Sequence, residues 1–564
     1  MQLNFGTVPF SYAGSYLAFS YPQDEADGYE KDLTLRILYG IFTDQENYPV
    51  FLMDEEESKL SGDIAATENE LILSRGERKL WVCFQSEDTV YLKSNSKAAI
   101  TKRRLSGADR VMRHDYGSYE IAGYNDSLVF EIIRGEFRNE TDWNSEGVGC
   151  TNLKAVFIPD DEGLFECQIT LSGLSYCKPK PCNYEKALND VKNKFMNFKK
   201  AFRTGVPEYS QAMEEAAYIS WHSIVNPQGY VKYPVMLMTK NKMNQVWSWD
   251  YAINALAMVD KDQKLAYDQF LAMAACQDKT GAYADCFQAR TMVKGFVKPP
   301  VQGFMLRKMF AVQKPEREVV EELYRTVSAF TDWWFVYRAR EDGIPEYHHG
   351  NDSGWDNSTV FERGLPVKSP DLCAWLVDQM EFLADTAEEL GYHEDSRKWR
   401  KRSNELLEMM LDYFVVDNHF VSYKEPEHEI VACDSLLLYI PLILGEKLPE
   451  KLRNSMLEDL LVNKRFITKY GIASEPLDSA KFIEDGYWRG AVWPPTALIM
   501  TELLMRNGKK EEALKNAESF CDMCAKAGFY ENYSAIDGHG LRDSGFTWTA
   551  SAFMILLRDY IEKN

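Results

Sequence analysis

The sequence carries none of the short signatures that mark many enzyme classes. It has no G-x-S-x-G, no H-E-x-x-H, no Walker loop and no G-x-G-x-x-G. A nucleophile elbow, a zincin helix and a phosphate-cradling or dinucleotide-binding loop are therefore excluded. Histidines number only 8 in 564 residues, and no cluster has metal-ligand spacing, so neither a metal nor a cofactor is expected. Positive charge is also short: 64 Lys and Arg against 86 Asp and Glu give a net charge of -22. Such a chain repels nucleic acid and anionic lipid, which removes both as partners. No apolar run reaches the 18 or so residues of a membrane span. The opening "MQLNFGTVPFSYAGSYLAFS" lacks the basic n-region and apolar h-region of a secretory leader. The 11 cysteines, an odd number, sit in apolar surroundings such as "LAMAACQD" and "DLCAWLV". That usage reads as buried thiols in a reducing compartment, and a cytoplasmic location is expected. Cys521 and Cys524 form a C-x-x-C inside a helical run with no second pair, which reads as structural.

Apolar residues make up 45% of the chain, enough for a large core. Their periodicity changes near residue 180. Before it come short β-branched and aromatic runs punctuated by turns: "LTLRILYGIF", "ERKLWVCFQ", "TVYLKSN", "SLVFEIIRGEF", "LKAVFIP" and "LFECQITLSG". Such spacing suggests a β-sandwich over 1–180. "KPKPCNY" interrupts the pattern, and a charged amphipathic helix over 181–206 reads as a linker. From 207 to 564 apolar residues recur at three and four. Charged amphipathic helices alternate there with helices apolar on nearly all sides, as in "PPVQGFMLRKMFAV", "PPTALIMTELLM" and "TASAFMILLRDYI". A helix apolar all round is buried all round. Prolines at 299–300, 370 and 494–495 read as first-turn residues of such helices. The alternation predicts an inner ring within an outer ring, an (α/α)6 barrel. An α-solenoid lacks the fixed repeat it would need.

Tryptophan is abundant, 13 in all, and much of it lies beside turn residues: "VWSWDYA", "SGWDNS", "GYWRGAVWPP", "GFTWTAS". These segments precede the apolar helices, so in a two-ring barrel they would line one cavity. Acids accompany them: Asp250, Asp352, Asp356, Glu484, Asp485, Glu531 and Asp543. Carboxylates with flat rings suit glycoside hydrolysis. One acid protonates the leaving oxygen, one carboxylate activates water, and aromatic faces stack on sugars. An indole beside a carboxyl also desolvates it and favours its protonated form, a role Trp355 could play for Asp356. Taken alone, "NDSGWDNS" serves equally as an Asx turn or helix cap.

Seven segments in order resemble the inverting α-glucosidase group of glycoside hydrolase family 63, close to the family 37 trehalases. They are "VWSWDYA" (246–252), "KPPVQGF" (298–304), "NDSGWDNS" (351–358), "SPDLCAWLV" (369–377), "GYWRGAVWPP" (486–495), "YENYSAIDG" (530–538) and "DSGFTWTAS" (543–551). The resemblance implies an (α/α)6 catalytic barrel behind a β-sandwich, and hydrolysis with inversion of an α-linked oligosaccharide or glucoside. It implies Asp356, of Ser-Gly-x-Asp, as general acid and Glu531, of the Glu-Asn-Tyr segment, as general base. By the same analogy Trp247, Trp249, Asp250, Gln302, Asn351, Trp355, Trp488, Arg489, Trp493 and Trp548 line the sugar subsites. Asp250 and Arg489 would hold hydroxyls of the nonreducing-end sugar. "SGWD" is nearer the trehalase form, while "YWRGAVWPP" and "SPDL" lean to family 63, so the substrate stays open. A trehalase-type enzyme, a sugar epimerase or isomerase, and a noncatalytic glycan-binding protein are the alternatives the same fold allows.

Overall fold

The computed structural model describes residues 1–21, 32–40 and 46–563. The end of the first strand-like run, Ile41 and Phe42, lies outside the described residues. The chain divides into two compact units. The first comprises 1–202 together with 217–226 and 239–244. The second comprises 203–216, 227–238 and 245–564.

The first unit is a β-sandwich of antiparallel sheets. A nine-stranded sheet runs from the edge strand Gln2–Leu3 through Arg78–Phe84, Thr89–Ser94 and Phe165–Ser172 to Arg110–Arg113. An eight-stranded sheet contains Thr34–Ile37, Glu46–Met53, Ala98–Thr101 and Lys154–Ile158. The run "SLVFEIIRGEF" is split in two, Ser127–Arg134 and Glu136–Asn139. Gly135 between them has φ +82°, and an added Cβ there would lie 2.5 Å from the Ile158 carbonyl. Only glycine fits that close approach. Helix α1 (Tyr184–Lys199) is capped by the Asn183 side chain. It packs Tyr184 and Ala187 onto Cys83 and Tyr91 of the nine-stranded sheet.

The second unit is an (α/α)6 barrel. After helix α2 (Ser210–Ser223) come α3 (Asp250–Met258), α4 (Gln263–Ala275), α5 (Gln302–Val312), α6 (Arg317–Tyr337), α7 (Pro370–Leu390), α8 (His393–Phe414), α9 (Glu450–Leu461), α10 (Pro494–Arg506), α11 (Lys510–Ala527) and α12 (Thr547–Leu556). The inner ring closes on itself: α3 packs on α5, α5 on α7, α7 on the 3-10 segment Leu436–Lys447, that segment on α10, α10 on α12, and α12 back on α3. Every residue of α3 and of α12 is buried. The outer helices α8 and α11 bury one stripe and expose charged faces. Two local details add to the sequence reading, the first not read there and the second a departure from it. The fourth inner element is 3-10 because Pro441 lies inside it, where it removes a donor and obstructs α-helical packing. Pro299 and Pro300 precede α5, which begins at Gln302, whereas Pro370 and Pro494 do open α7 and α10. All 11 cysteines are free, most of them buried, Cys521 and Cys524 among these.

Ring closure between the first and last inner helices carries a buried polar link. Asn254 of α3 donates to Thr547 Oγ1 at 3.0 Å and accepts from Ser551 Oγ at 2.8 Å. Removing the amide leaves two buried hydroxyls without this partner. We expect Asn254→Ala to destabilise the barrel by about 2–3 kcal/mol. Thermal unfolding of the variant against the parent measures this, and an unchanged midpoint would contradict it.

Candidate active site

The inner helices present their N-terminal ends to one place. Asp250 is the first residue of α3, Gln302 the first of α5, Trp493 the N-cap of α10 and Trp548 the second residue of α12. The Gln302 amide donates to the Ser248 carbonyl at 3.2 Å, and the rings of Trp249 and Trp493 both meet Trp548 edge-on. These contacts hold the ends of four helices together. Helix N-termini are electropositive, so carboxylates gathered there are favoured.

Five of the tryptophans singled out by sequence form one buried cluster. Trp355 stacks on Trp488 with centroids 4.7 Å apart, Trp488 stacks on Trp493 at 3.9 Å, and Trp249 contacts Trp488 and Trp548. Trp247 is half-buried and lies in a short strand paired with Cys286–Phe287. The same pairing brings Asp285 beside Ser248, whose N–H donates to the Asp285 carbonyl at 2.9 Å.

Two distant segments are zipped together around Asp356. The Asn357 amide donates to the Gly486 carbonyl at 2.9 Å, its side-chain oxygen accepts from Trp488 N–H at 2.9 Å, and its carbonyl accepts from Arg489 Nε at 3.0 Å. Arg489 has no carboxylate within ion-pair distance among the described residues. Gly354, at φ +76°, brings its backbone onto the Trp249 ring, where an added Cβ would lie 2.8 Å away. The turn and the ring contact both require glycine.

Glu531 lies on the strand Tyr530–Tyr533, opposite Gly540–Ser544, where the register shifts. Arg542 takes φ +63° in that irregularity. A bulge re-aims what faces it, and here it turns the Asp543 N–H toward the Glu531 carboxylate. Glu531 is buried, and its carbonyl accepts from Trp548 Nε1 at 3.1 Å.

The electrostatics are those of several acids around one ammonium. Lys298 Nζ lies 3.3 Å from Asp285 Oδ1 and 3.5 Å from Asp356 Oδ1, and it donates to the Asn351 carbonyl at 3.1 Å. Burial pushes the Asp250 carboxyl up to about 8; Lys298 opposes this, while Asp285 and Asp356 add to it. Glu531 is likewise pushed up to about 8 by burial and by Asp543, against Arg542 and the Asp543 N–H, with Asp250 adding. Burial also raises Tyr487, which feels Glu531, Asp356 and Asp250 together. Trp355 was expected to keep a proton on Asp356. Its ring is engaged with Trp488, and Asp356, 27% exposed, lies 3.5 Å from the Lys298 ammonium. Burial thus favours the protonated forms of Asp250 and Glu531.

Sequence reasoning missed Lys298, Asp285 and Tyr487. Lys298 was visible as a lone charge in the apolar run "GFVKPPVQGF", where it can be buried only against an acid. Nothing local to "YADCF" marked Asp285. Glu484, Asp537 and His539 each bring a ligand atom within 4.8 Å of the others, but Asp537 and His539 are hydrogen-bonded to each other.

Comparisons with known proteins identify a family by sequence and a fold by structure. A family model for the mannosylglycerate hydrolase MGH1-like glycoside hydrolase domain matches residues 243–549. Mannosylglycerate hydrolase MGH1 of Selaginella moellendorffii is 20% identical over 438 residues, covering 63% of this chain and 88% of that protein. The GH63 mannosylglycerate hydrolase from Thermus thermophilus, solved in complex with glucose, has a TM-score of 0.53 at 19% identity. That match covers 61% of this chain and 98% of the other. A bacterial glucoamylase complexed with acarbose has a TM-score of 0.65 at 10% identity, covering 99% of this chain and 94% of that one. At these identities the solved structures establish the fold.

The raised Glu531 carboxyl has a consequence for stability. A carboxyl raised on folding contributes stability below its unfolded range, near 4, and that contribution is lost as pH rises through about 8. Glu531→Gln lacks this loss. Its thermal midpoint should fall less than the parent's between pH 5 and 8, a relative gain of roughly 1–3 kcal/mol at pH 8. Parallel midpoint curves over that range would contradict the burial argument.

Proposed function

The chain belongs to the mannosylglycerate hydrolase MGH1-like glycoside hydrolase family, and from that premise we propose that it cleaves an α-linked glycoside with inversion, Asp356 acting as general acid and Glu531 as general base. The observation that carries this reading is that both carboxyls are tied to one tryptophan cluster: Trp355, next to Asp356, stacks on Trp488, Trp488 stacks on Trp493, Trp493 meets Trp548, and Trp548 Nε1 donates to the Glu531 carbonyl, although 175 positions separate them in sequence (531 less 356). Asp356 is the more exposed of the two, as suits a group that must reach a glycosidic oxygen near the mouth. Glu531, at the buried strand bulge, suits a group that orients a single water.

In this mechanism the nonreducing-end sugar sits against Trp247, with Trp249, Trp355, Trp488, Trp493 and Trp548 as the rigid wall behind. Gln302 and Asn351 complete the lining. Asp250 and Arg489 hold sugar hydroxyls, Arg489 with guanidinium N–H groups that its one bond to Asn357 leaves available. Asp356 gives its proton to the glycosidic oxygen as the C1–O bond breaks. Water attacks C1 from the opposite face while Glu531, acting in its ionised form, whose share grows as pH approaches about 8, takes the proton. We assign the chemistry to the barrel over 207–564, which follows the 1–180 domain and the 181–206 linker in sequence and carries both Asp356 and Glu531. We place the enzyme in the cytoplasm on its cysteine usage; among the described residues no helix is long and apolar enough to cross a membrane. An α-glucoside is the donor the sequence motifs support. The family relatives, named for mannosylglycerate hydrolysis, add α-mannosylglycerate as a second candidate.

Trehalose, kojibiose, nigerose, maltose, isomaltose, glucosylglycerate and mannosylglycerate should be screened, with NMR reading the first anomer released. The expected product is the β-anomer of the free sugar; an α-anomer at early times would contradict inversion. Asp356→Asn and Glu531→Gln should each reduce kcat by about 10²–10⁴-fold with the fold intact. Near-parent turnover in either variant would refute the assignment.

A further inference from the structure

Lys298 is an unusual residue to bury. Its side chain is 5% exposed, and burial works against its charge. Asp356, Asp285 and Asp250 outweigh that cost and push its pKa up, so it stays an ammonium. Its backbone is fixed on both sides. Pro299 and Pro300 follow it. Before it, the Val297 N–H donates to Asp352 Oδ1 at 3.1 Å. The other Asp352 oxygen accepts from His348 N–H at 3.0 Å and His349 N–H at 3.2 Å. One buried aspartate therefore staples the segment that carries Lys298 to the loop that carries Asp356.

We propose that Lys298 is a positioning residue that sets the acid strength of Asp356: it holds the carboxyl in place and stabilises the negative charge left when the proton departs, with Asp285 anchoring the ammonium. This rests on the reading of Asp356 as general acid. In the step itself the Asp356 proton passes to the glycosidic oxygen, the C1–O bond breaks with its electron pair going to that oxygen, and Lys298 keeps all its protons. What it supplies is a fixed positive charge 3.5 Å from the new carboxylate, already in place before the reaction and needing no reorganisation during it. Asp285 keeps the ammonium from collapsing wholly onto Asp356, which would leave the acid unprotonated. The other groups facing this pair are Asp250 at the head of α3, Cys286 beside Asp285, Asp352 in the staple, and Tyr487 and Glu531 beyond Asp250. Two further cations face the edge of this group, Arg338, 3.7 Å from Asp352, and Arg542, which acts on Glu531 and Tyr487; among the described residues Lys298 is the cation within ion-pair distance of Asp356.

The test compares the parent, Lys298→Met and the double variant Lys298→Met/Asp285→Asn, each on the best disaccharide from the screen and on the matching α-glycosyl fluoride. Fluoride leaves with little need of a proton, so it bypasses the acid. Lys298→Met should lose about 10–100-fold in kcat/KM on the disaccharide and at least tenfold less on the fluoride. The basic limb of its pH profile should move to higher pH by about one unit, because the acid holds its proton more tightly without the ammonium. The double variant, in which Asp285 is no longer left as a buried charge without its cation, should show the same loss; it carries the test if the single variant does not fold. Equal losses on both substrates, an unmoved basic limb, or recovery in the double variant would each overturn the inference, the last by showing that Lys298 merely neutralises Asp285. Asp356→Asn run in parallel separates the levels. If it turns over the disaccharide at the parent rate, the acid assignment itself fails. If it is inactive there and active on the fluoride, that assignment stands and the Lys298 variants decide.

Discussion

Trp355 lies flat on Trp488, Trp488 lies flat on Trp493, and around this stack the Asn357 side chain closes two hydrogen bonds to the Gly486–Trp488 backbone. The stack joins a loop that leads into α7 to a loop that leads into α10. Broad apolar faces supply the adhesion, and the amide supplies the register. Asp356 sits between Trp355 and Asn357 in sequence, so both of its neighbours are immobilised by this contact. The position of the Asp356 carboxyl thus depends on packing between rings that need never touch a sugar.

That gives these tryptophans a different task from the one their loop positions first suggest. A ring that stacks on a substrate must keep a face open, and five of the six have both faces largely covered by protein. Trp247 is the half-buried exception. The cluster acts as a stiff, water-excluding wall. Behind it the dielectric is low, and the interactions among Asp250, Asp285, Asp356, Glu531 and Lys298 are correspondingly strong. Rigidity and electrostatics in the site have a common source.

The crowding of acids follows from the architecture. An inner ring of buried helices must present its N-termini somewhere, and unsatisfied N–H groups there are met by acidic and amide side chains. Asp250, Gln302 and Asp371 all stand in the first turn of an inner helix. Asp371 is pushed up to about 6 by burial even with Ser369 and Tyr347 donating to it. Residues with a structural reason to be acidic therefore supply the local charge in which proton transfer to and from a substrate can be controlled.

The sequence by itself determined the class of each segment and much of the ring order. Period-two runs gave way to period-three-and-four runs near residue 180, and helices apolar on all sides had to be inner helices because no other position buries every face. It also located the loops whose tryptophans and acids converge, since the order of buried and amphipathic helices dictates which connections share an end. Other features were decided only by the tertiary structure. That Trp355 would stack on Trp488 rather than shelter Asp356, that the isolated Lys298 would face Asp285 and Asp356, and that a register shift opposite Glu531 would turn the Asp543 N–H toward it depend on residues tens to hundreds of positions apart. Periodicity reports how a residue sits relative to its own helix or strand. It carries no information on which distant charge or ring will lie a few ångströms away, and the protonation of a carboxyl such as Asp250 or Glu531 is set first by its burial and then by those neighbours.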